Sequence, residues 1–199
     1  PPYMGYKGMN ENLSEFVKKY YPNSKSDLMT CFMERTIKFT VSNGYSSMIN
    51  IPSWMFLSSF ENLRLKLIEN TFFCSLLHFG RGIFGSDFGS VAFVMKNTNN
   101  NNYNGIYRRL FTKQGLVDKV EQKEKWFLDN SFGYFKTNQV EFSKIPSSPF
   151  AYWTTDNVRN IFLNNLNIGS ESSPKQGMAT ADNNRFLREW NEINHNKIG

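Results

Sequence analysis

The chain has 199 residues, 40% of them hydrophobic and 16% aromatic, which is enough apolar material for a packed core and too much for wholesale disorder. Its formal charge of +6 suits a polyanionic partner, but the 23 Lys and Arg are scattered, so only folding can gather them into one surface. The apolar runs are too short to cross a bilayer. Cys31 and Cys74 have no second Cys or His at metal-ligand spacing, so a metal site is not expected, and reduced core thiols in a cytoplasmic protein are.

The chain opens on Pro1-Pro2-Tyr3 without an initiator Met, and a piece of a larger protein is expected. Residues 26–44 then read as a helix. Ser26 is the candidate N-cap, Asp27 favours the positive end of the dipole, and Asn43-Gly44 is the stop. Leu28, Met29, Phe32, Met33, Ile37 and Val41 recur at helical spacing on its inward face. Residues 45–51 are a β-prone run ended by Pro52, as suits a strand leading into a functional loop. A second amphipathic helix follows over 58–70, with Phe60, Leu63, Leu67 and Ile68 inward.

Residues 72–79 and 90–96 read as strands separated by a glycine-rich stretch from Gly80 to Gly89. This order predicts an α/β sheet whose last two strands form an antiparallel hairpin. An asparagine-rich tract over 97–104 reads as a connection. Beyond it the pattern predicts a strand at 106–111, a mixed stretch at 119–128 and extended chain at 134–142. Thr154-Thr155-Asp156 caps a helix over 158–166, a Ser/Pro-rich loop spans 169–177, and a last helix covers 184–193.

Pro1-Pro2-Tyr3 carries the chemistry. An exocyclic amine conjugated to a purine has little lone-pair density, and accepting hydrogen bonds from it shifts density back to nitrogen. Prolines hold an accepting carbonyl rigidly, because φ is fixed and no N–H competes. An aromatic ring after them offers a face on which a flipped base stacks. The tripeptide by itself also fits a polyproline ligand of WW domains.

The wider sequence resembles the gamma-class DNA N6-adenine methyltransferases. The likeness is strongest to the PglX-type enzymes of bacteriophage-exclusion (BREX) systems, and type IIG restriction–modification enzymes are similar more distantly. The stretches that carry it are Pro-Pro-Tyr-Met-Gly at 1–5, Ser-Lys-Ser-Asp-Leu-Met-Thr-Cys-Phe-Met-Glu-Arg at 24–35 and Asn-Gly-Tyr-Ser-Ser-Met-Ile-Asn-Ile-Pro-Ser-Trp-Met-Phe at 43–56. Phe-Ser-Lys-Ile-Pro-Ser-Ser-Pro-Phe-Ala-Tyr-Trp at 142–153 and Lys-Gln-Gly-Met-Ala-Thr-Ala-Asp-Asn-Asn-Arg-Phe-Leu-Arg-Glu-Trp at 175–190 complete the set.

The resemblance implies that residues 1–97 are the C-terminal half of a Rossmann-like, S-adenosylmethionine-dependent methyltransferase sheet. Residues 98–199 are then a mixed α+β segment leading to target recognition. It implies a parent enzyme that methylates a flipped adenine in double-stranded DNA within a phage-defence or restriction system, together with other subunits of that system. Pro1, Pro2 and Tyr3 become catalytic residues, and Tyr3 and Phe84 the two faces on the base. Phe88 is the alternative to Phe84 and otherwise a core plug. Pro52 and Trp54 line the pocket, or Trp54 packs the core; Arg81, Lys175, Arg185 and Arg188 meet phosphates; His78 is structural. The Asn that precedes Pro-Pro in the motif and the glycine turn that binds the cofactor are not among the 199 residues, so a cofactor site is expected in the parent alone. Two other readings stay open, a non-catalytic DNA-binding scaffold and an amino-group methyltransferase acting on RNA or on a protein glutamine.

Overall fold

Five strands form one sheet in the order β1-β3-β2-β4-β5, and a computed structural model describes residues 1–85, 88–173, 177, 181–194 and 196. They are β1 (Tyr45–Asn50), β2 (Phe72–Arg81), β3 (Gly89–Lys96), β4 (Asn104–Arg109) and β5 (Tyr134–Asn138). The expected hairpin is present, since β3 runs antiparallel to β2, and β3 also slots between β1 and β2, antiparallel to both. β4 then pairs in parallel with β2, and β5 closes the edge antiparallel to β4. Consequently β1, β2 and β4 point the same way, and their carboxyl ends share one edge of the sheet. The sheet therefore continues past residue 97, and the chain forms two compact units, Pro1–Asn164 and Asn165–Gly199.

Helices α1 (Glu11–Tyr20), α2 (Leu28–Phe39), α3 (Glu61–Asn70), α4 (Val120–Leu128) and α5 (Asp156–Asn164) complete the first unit. The core is built from alternate strand residues, Phe73, Leu76, Val91, Phe93, Met95 and Tyr107, packed on Met29 and Met33 of α2 and Leu63 and Leu67 of α3. Each such side chain contributes about 1.5–3 kcal/mol on leaving water. Side chains of the opposite register, Ser47, Ile49, Ser75, Leu77, Ala92 and Val94, line an open groove of about 490 Å³. Cys31 is buried, and desolvation pushes its thiol up to about 11.

Several elements differ from the sequence expectation. α2 starts one residue later than expected, with Asp27 rather than Ser26 as its N-cap, the Asp27 carboxylate accepting from the Met29 N–H at 2.9 Å. It also stops at Phe39, because the Asn97 side chain arrives from beyond β3 and donates to the Thr40 carbonyl at 2.7 Å. α1 is absent from the sequence expectation although it carries a regular amphipathic pattern, with Asn10 as its N-cap and Leu13, Phe16, Val17 and Tyr20 at helical spacing. The stretch at 119–128 is a full helix whose inward residue is a charged one, Lys123. β5 ends at Asn138, whose side chain caps a 3₁₀ helix over Gln139–Lys144. In the second unit the helix expected at 184–193 reduces to single turns at Asn183–Phe186 and Trp190–Glu192 with extended Leu187 between them. With no buried residue in the first turn, nothing pulls it into a longer helix. Among the described residues no helix is long and apolar enough to cross a membrane, and no group of three His, Cys, Asp or Glu is placed to hold a metal ion.

Candidate functional site

The N-terminal arm is laid along the segment that enters α2. Leu28 N–H donates to the Met4 carbonyl at 2.9 Å, Tyr6 N–H donates to the Ser26 carbonyl at 3.0 Å, and Gly5 bridges Asp27. This aims Pro1-Pro2-Tyr3 at the carboxyl end of β1. There the Tyr3 hydroxyl comes within 3.4 Å of the Ile49 carbonyl, too long a contact to fix the ring firmly. Pro1 and Tyr3 line a cavity of about 400 Å³ with Ile49, Asn50 and Ile51, and Phe84 and Phe88 of the β2–β3 loop and Gly89 and Ser90 at the start of β3 complete the lining.

The loop carries its aromatics outward. Phe84 is 62% exposed and Phe88 70%, so neither ring is sunk under the loop, and Phe88 is no core plug. The backbone explains this: Gly82 and Gly85 take φ of 93° and 65°, values that favour glycine, and turn the chain out past the last paired residues, Arg81 and Gly89. Tyr3 is half exposed as well, leaving its ring face available for a ligand.

Trp54 does not line this cavity. Its indole is fully buried, stacked on Phe73 with centroids 5.8 Å apart and edge-on to Phe93 and Phe150. Its N–H donates to the Asn50 side-chain oxygen at 2.9 Å. Trp54 therefore acts from behind, holding Asn50 and the Pro52–Met55 turn in place. Pro52 sits at the rim, where a Cβ on Gly89 would stand 3.3 Å from its Cγ, and it lines an adjoining cavity of about 280 Å³ with Phe56, Arg81, Gln114 and Leu116. The two cavities share Ile51 and Gly89.

Asn50, Ile51 and Ser90 are wall residues that sequence reasoning did not single out. The signal for Asn50 is an amide inside an otherwise apolar strand end, Ile-Asn-Ile-Pro. Ser90 is buried and its hydroxyl has no hydrogen-bond partner among the described residues. The described lining holds no carboxylate, histidine or lysine; what it offers a ligand is flat aromatic faces, the Ser90 hydroxyl and backbone polar groups.

Arg81 donates from Nη1 to the Gly115 carbonyl at 2.9 Å. In the second unit, Arg185 stacks its guanidinium over Phe186 at 5.1 Å, and Arg188 donates to the Asn184 and Leu187 carbonyls, both side chains being exposed. Lys175 lies outside the described residues.

His78 is buried below the rim, its Nδ1 3.1 Å from the Tyr152 hydroxyl and its ring edge-on to Phe111. Burial first, then the charges of Arg109 and Lys123, push it down to about 4. Its folded value thus lies below that of the unfolded chain, so the unfolded state binds the extra proton between the two. The stability is fully present above about pH 6.5 and is lost as pH falls toward about 4. Urea unfolding should show wild type losing about 2–3 kcal/mol more than His78→Gln between about pH 7 and about pH 4.5. Parallel losses in the two proteins would show that His78 is not held neutral.

With this geometry in place, comparison with known proteins gives first a class. A family model described as Eco57I restriction-modification methylase matches residues 1–84, the span that holds the N-terminal arm, β1 and Phe84. Particular relatives follow. The whole chain is 42% identical to the adenine-specific methyltransferase BrxX of Escherichia coli O9:H4 (strain HS), covering 16% of that protein. It is 36% identical to the adenine-specific methyltransferase PglX of Lacticaseibacillus casei (strain Zhang), covering 17% of it. The resemblance read from the sequence is therefore present over the full chain, which spans about a sixth of the length of these relatives. The structure of the type IIG restriction endonuclease BpuSI is similar in fold over 83% of this chain and 22% of that one, with a TM-score of 0.52 at 16% identity.

Proposed function

We propose that this chain is the base-capturing portion of a DNA adenine-N6 methyltransferase of a bacterial phage-defence or restriction–modification system, acting in the cytoplasm on double-stranded DNA. The observation that carries the reading is the shared cavity: Tyr3 from the Pro-Pro-Tyr arm and Phe84 from the β2–β3 loop line one space of about 400 Å³ at the carboxyl end of β1. Two aromatic faces, each worth about 1–3 kcal/mol to a stacked base, offset the few kcal/mol needed to extrude an adenine from the duplex. The Pro1 carbonyl accepts one hydrogen bond from the exocyclic amine and directs its lone pair outward, and the rigid Pro1-Pro2 backbone holds that carbonyl still. Residues 1–97 carry the walls of the cavity, and 98–199 lead toward target recognition. Arg185 and Arg188 are exposed cations suited to phosphate, whereas Arg81, bonded to Gly115, is better suited to holding its loop.

S-adenosylmethionine supplies the methyl group in enzymes of this kind. The glycine-rich loop does not fit it. The loop from Gly80 to Gly89 joins two antiparallel strands, whereas a cofactor turn leads from a strand into a helix. On this reading the cofactor turn lies in another part of the full-length protein.

The test is nucleoside mass spectrometry after incubating full-length protein with S-adenosylmethionine and, separately, duplex DNA, RNA and glutamine-containing peptide. N6-methyladenine in the duplex DNA is the expected product. Methylation confined to RNA or peptide, or none in any arm, would contradict the proposal, and DNA binding without methylation would favour a scaffold.

A further inference from the structure

We infer that the segment from Phe111 to Lys123 is a brace that sets the position of the Phe84 loop, with Lys123 as its positioning residue. This rests on the reading of Phe84 as a wall of the base cavity. Three consecutive residues at the root of the loop seat against the segment. A Cβ on Gly80 would stand 2.8 Å from Phe111 Cδ1, and one on Gly82 would stand 2.9 Å from Val117 Cγ1. Between them, Arg81 bridges Val117 through the backbone and donates from Nη1 to the Gly115 carbonyl at 2.9 Å. The direction in which the chain leaves toward Phe84, two residues beyond Gly82, is thus fixed by contact with the brace.

Lys123 anchors the brace to the sheet. Its ammonium, 1% exposed, donates to the Phe79 carbonyl of β2 at 2.8 Å and to the Leu110 carbonyl just after β4 at 3.0 Å, and it lies 3.7 Å from an Asp118 carboxylate oxygen. One side chain therefore ties together the carboxyl ends of two adjacent parallel strands and the segment lying on the loop root. A buried lysine is a costly way to hold two carbonyls unless their relative position matters. What they position is the root of the hairpin that carries Phe84 and Phe88.

The test uses the full-length protein, duplex DNA with 2-aminopurine at the target adenine for base capture, and unmodified DNA for turnover. Lys123→Met should lower kcat about tenfold or more, because small misplacements of a binding group are amplified in rate. It should also cut the 2-aminopurine signal and speed amide exchange over residues 80–85, with the KM for S-adenosylmethionine unchanged. Should Lys123→Met fail to fold, Val117→Gly decides. It removes the Cγ1 on which Gly82 seats and should lower capture and kcat alike. Wild-type capture and turnover in either folded variant would overturn the brace. A silent Phe84→Ala would instead overturn the base-cavity reading, and the brace's role in capture with it.

Discussion

Replacing Tyr3 with alanine in the full-length protein is expected to lower adenine methylation by about ten- to a hundredfold, the equivalent of losing about 1–3 kcal/mol of base stacking. Phe84→Ala should fall in the same range, since it removes a second aromatic ring lining the same cavity. Tyr3→Phe should be mild, because the ring is retained and the hydroxyl makes only the 3.4 Å approach to the Ile49 carbonyl. Steady-state kinetics with duplex DNA separates these outcomes. Equal damage from Tyr3→Ala and Tyr3→Phe would assign the role to the hydroxyl and remove stacking from the account.

The largest stability effect is expected at Arg64, which lies fully buried behind the site. Its guanidinium makes five hydrogen bonds to backbone carbonyls, to Trp54 and Leu57 at 2.7 Å each, twice to Ser147 at 2.7 and 3.1 Å, and to Ser148 at 3.1 Å. Those bonds join the turn after β1 to a segment where Ser147 and Ser148 both hold positive φ, 65° and 48°. Left-handed backbone at two consecutive non-glycine residues persists only where its surroundings impose it. Arg64→Met keeps the apolar stem but takes this donor from the Trp54, Ser147 and Ser148 carbonyls, while the Leu57 carbonyl keeps the Phe60 N–H, at about 3–5 kcal/mol in all. That is a large share of the roughly 5–15 kcal/mol that holds a domain folded. Urea unfolding should show the midpoint collapse for Arg64→Met, with Arg64→Lys intermediate because an ammonium reaches fewer of the carbonyls. A midpoint shift below about 1 kcal/mol would mean the turn is held by its aromatic packing alone.

The sequence is most readable where one principle acts by itself. The β2–β3 hairpin, α3 and the body of α2 follow from alternation or helical spacing, because their apolar faces are set by burial alone. The ends of elements are harder to read when a distant residue decides them: Asn97 terminates α2 across more than fifty positions of chain. α4 stays hidden because its inward residue is a lysine, and its apolar pattern never forms a stripe.

The site divides in the same way. Tyr3 is singled out by the prolines before it, whereas Phe84 is singled out by the family resemblance alone, since an aromatic in a glycine loop fits a core plug as well as an exposed ring. Trp54 is ambiguous in sequence, since an aromatic after a strand fits a pocket wall or a core equally well. Its partners Phe73, Phe93 and Phe150 come from three separate parts of the chain. Asn50 shows only an amide at an apolar strand end and Ser90 shows nothing, because their place in the cavity is a consequence of strand register between β1, β3 and β2.

The central claim is that Tyr3 and Phe84 grip one adenine between them. A crystal structure of the full-length protein with duplex DNA tests it most directly. The account predicts a flipped adenine between the two rings, the rings about 7 Å apart so that the base lies about 3.5 Å from each. A target base bound elsewhere, or Phe84 turned away from the Tyr3 ring with the adenine in place, would contradict it.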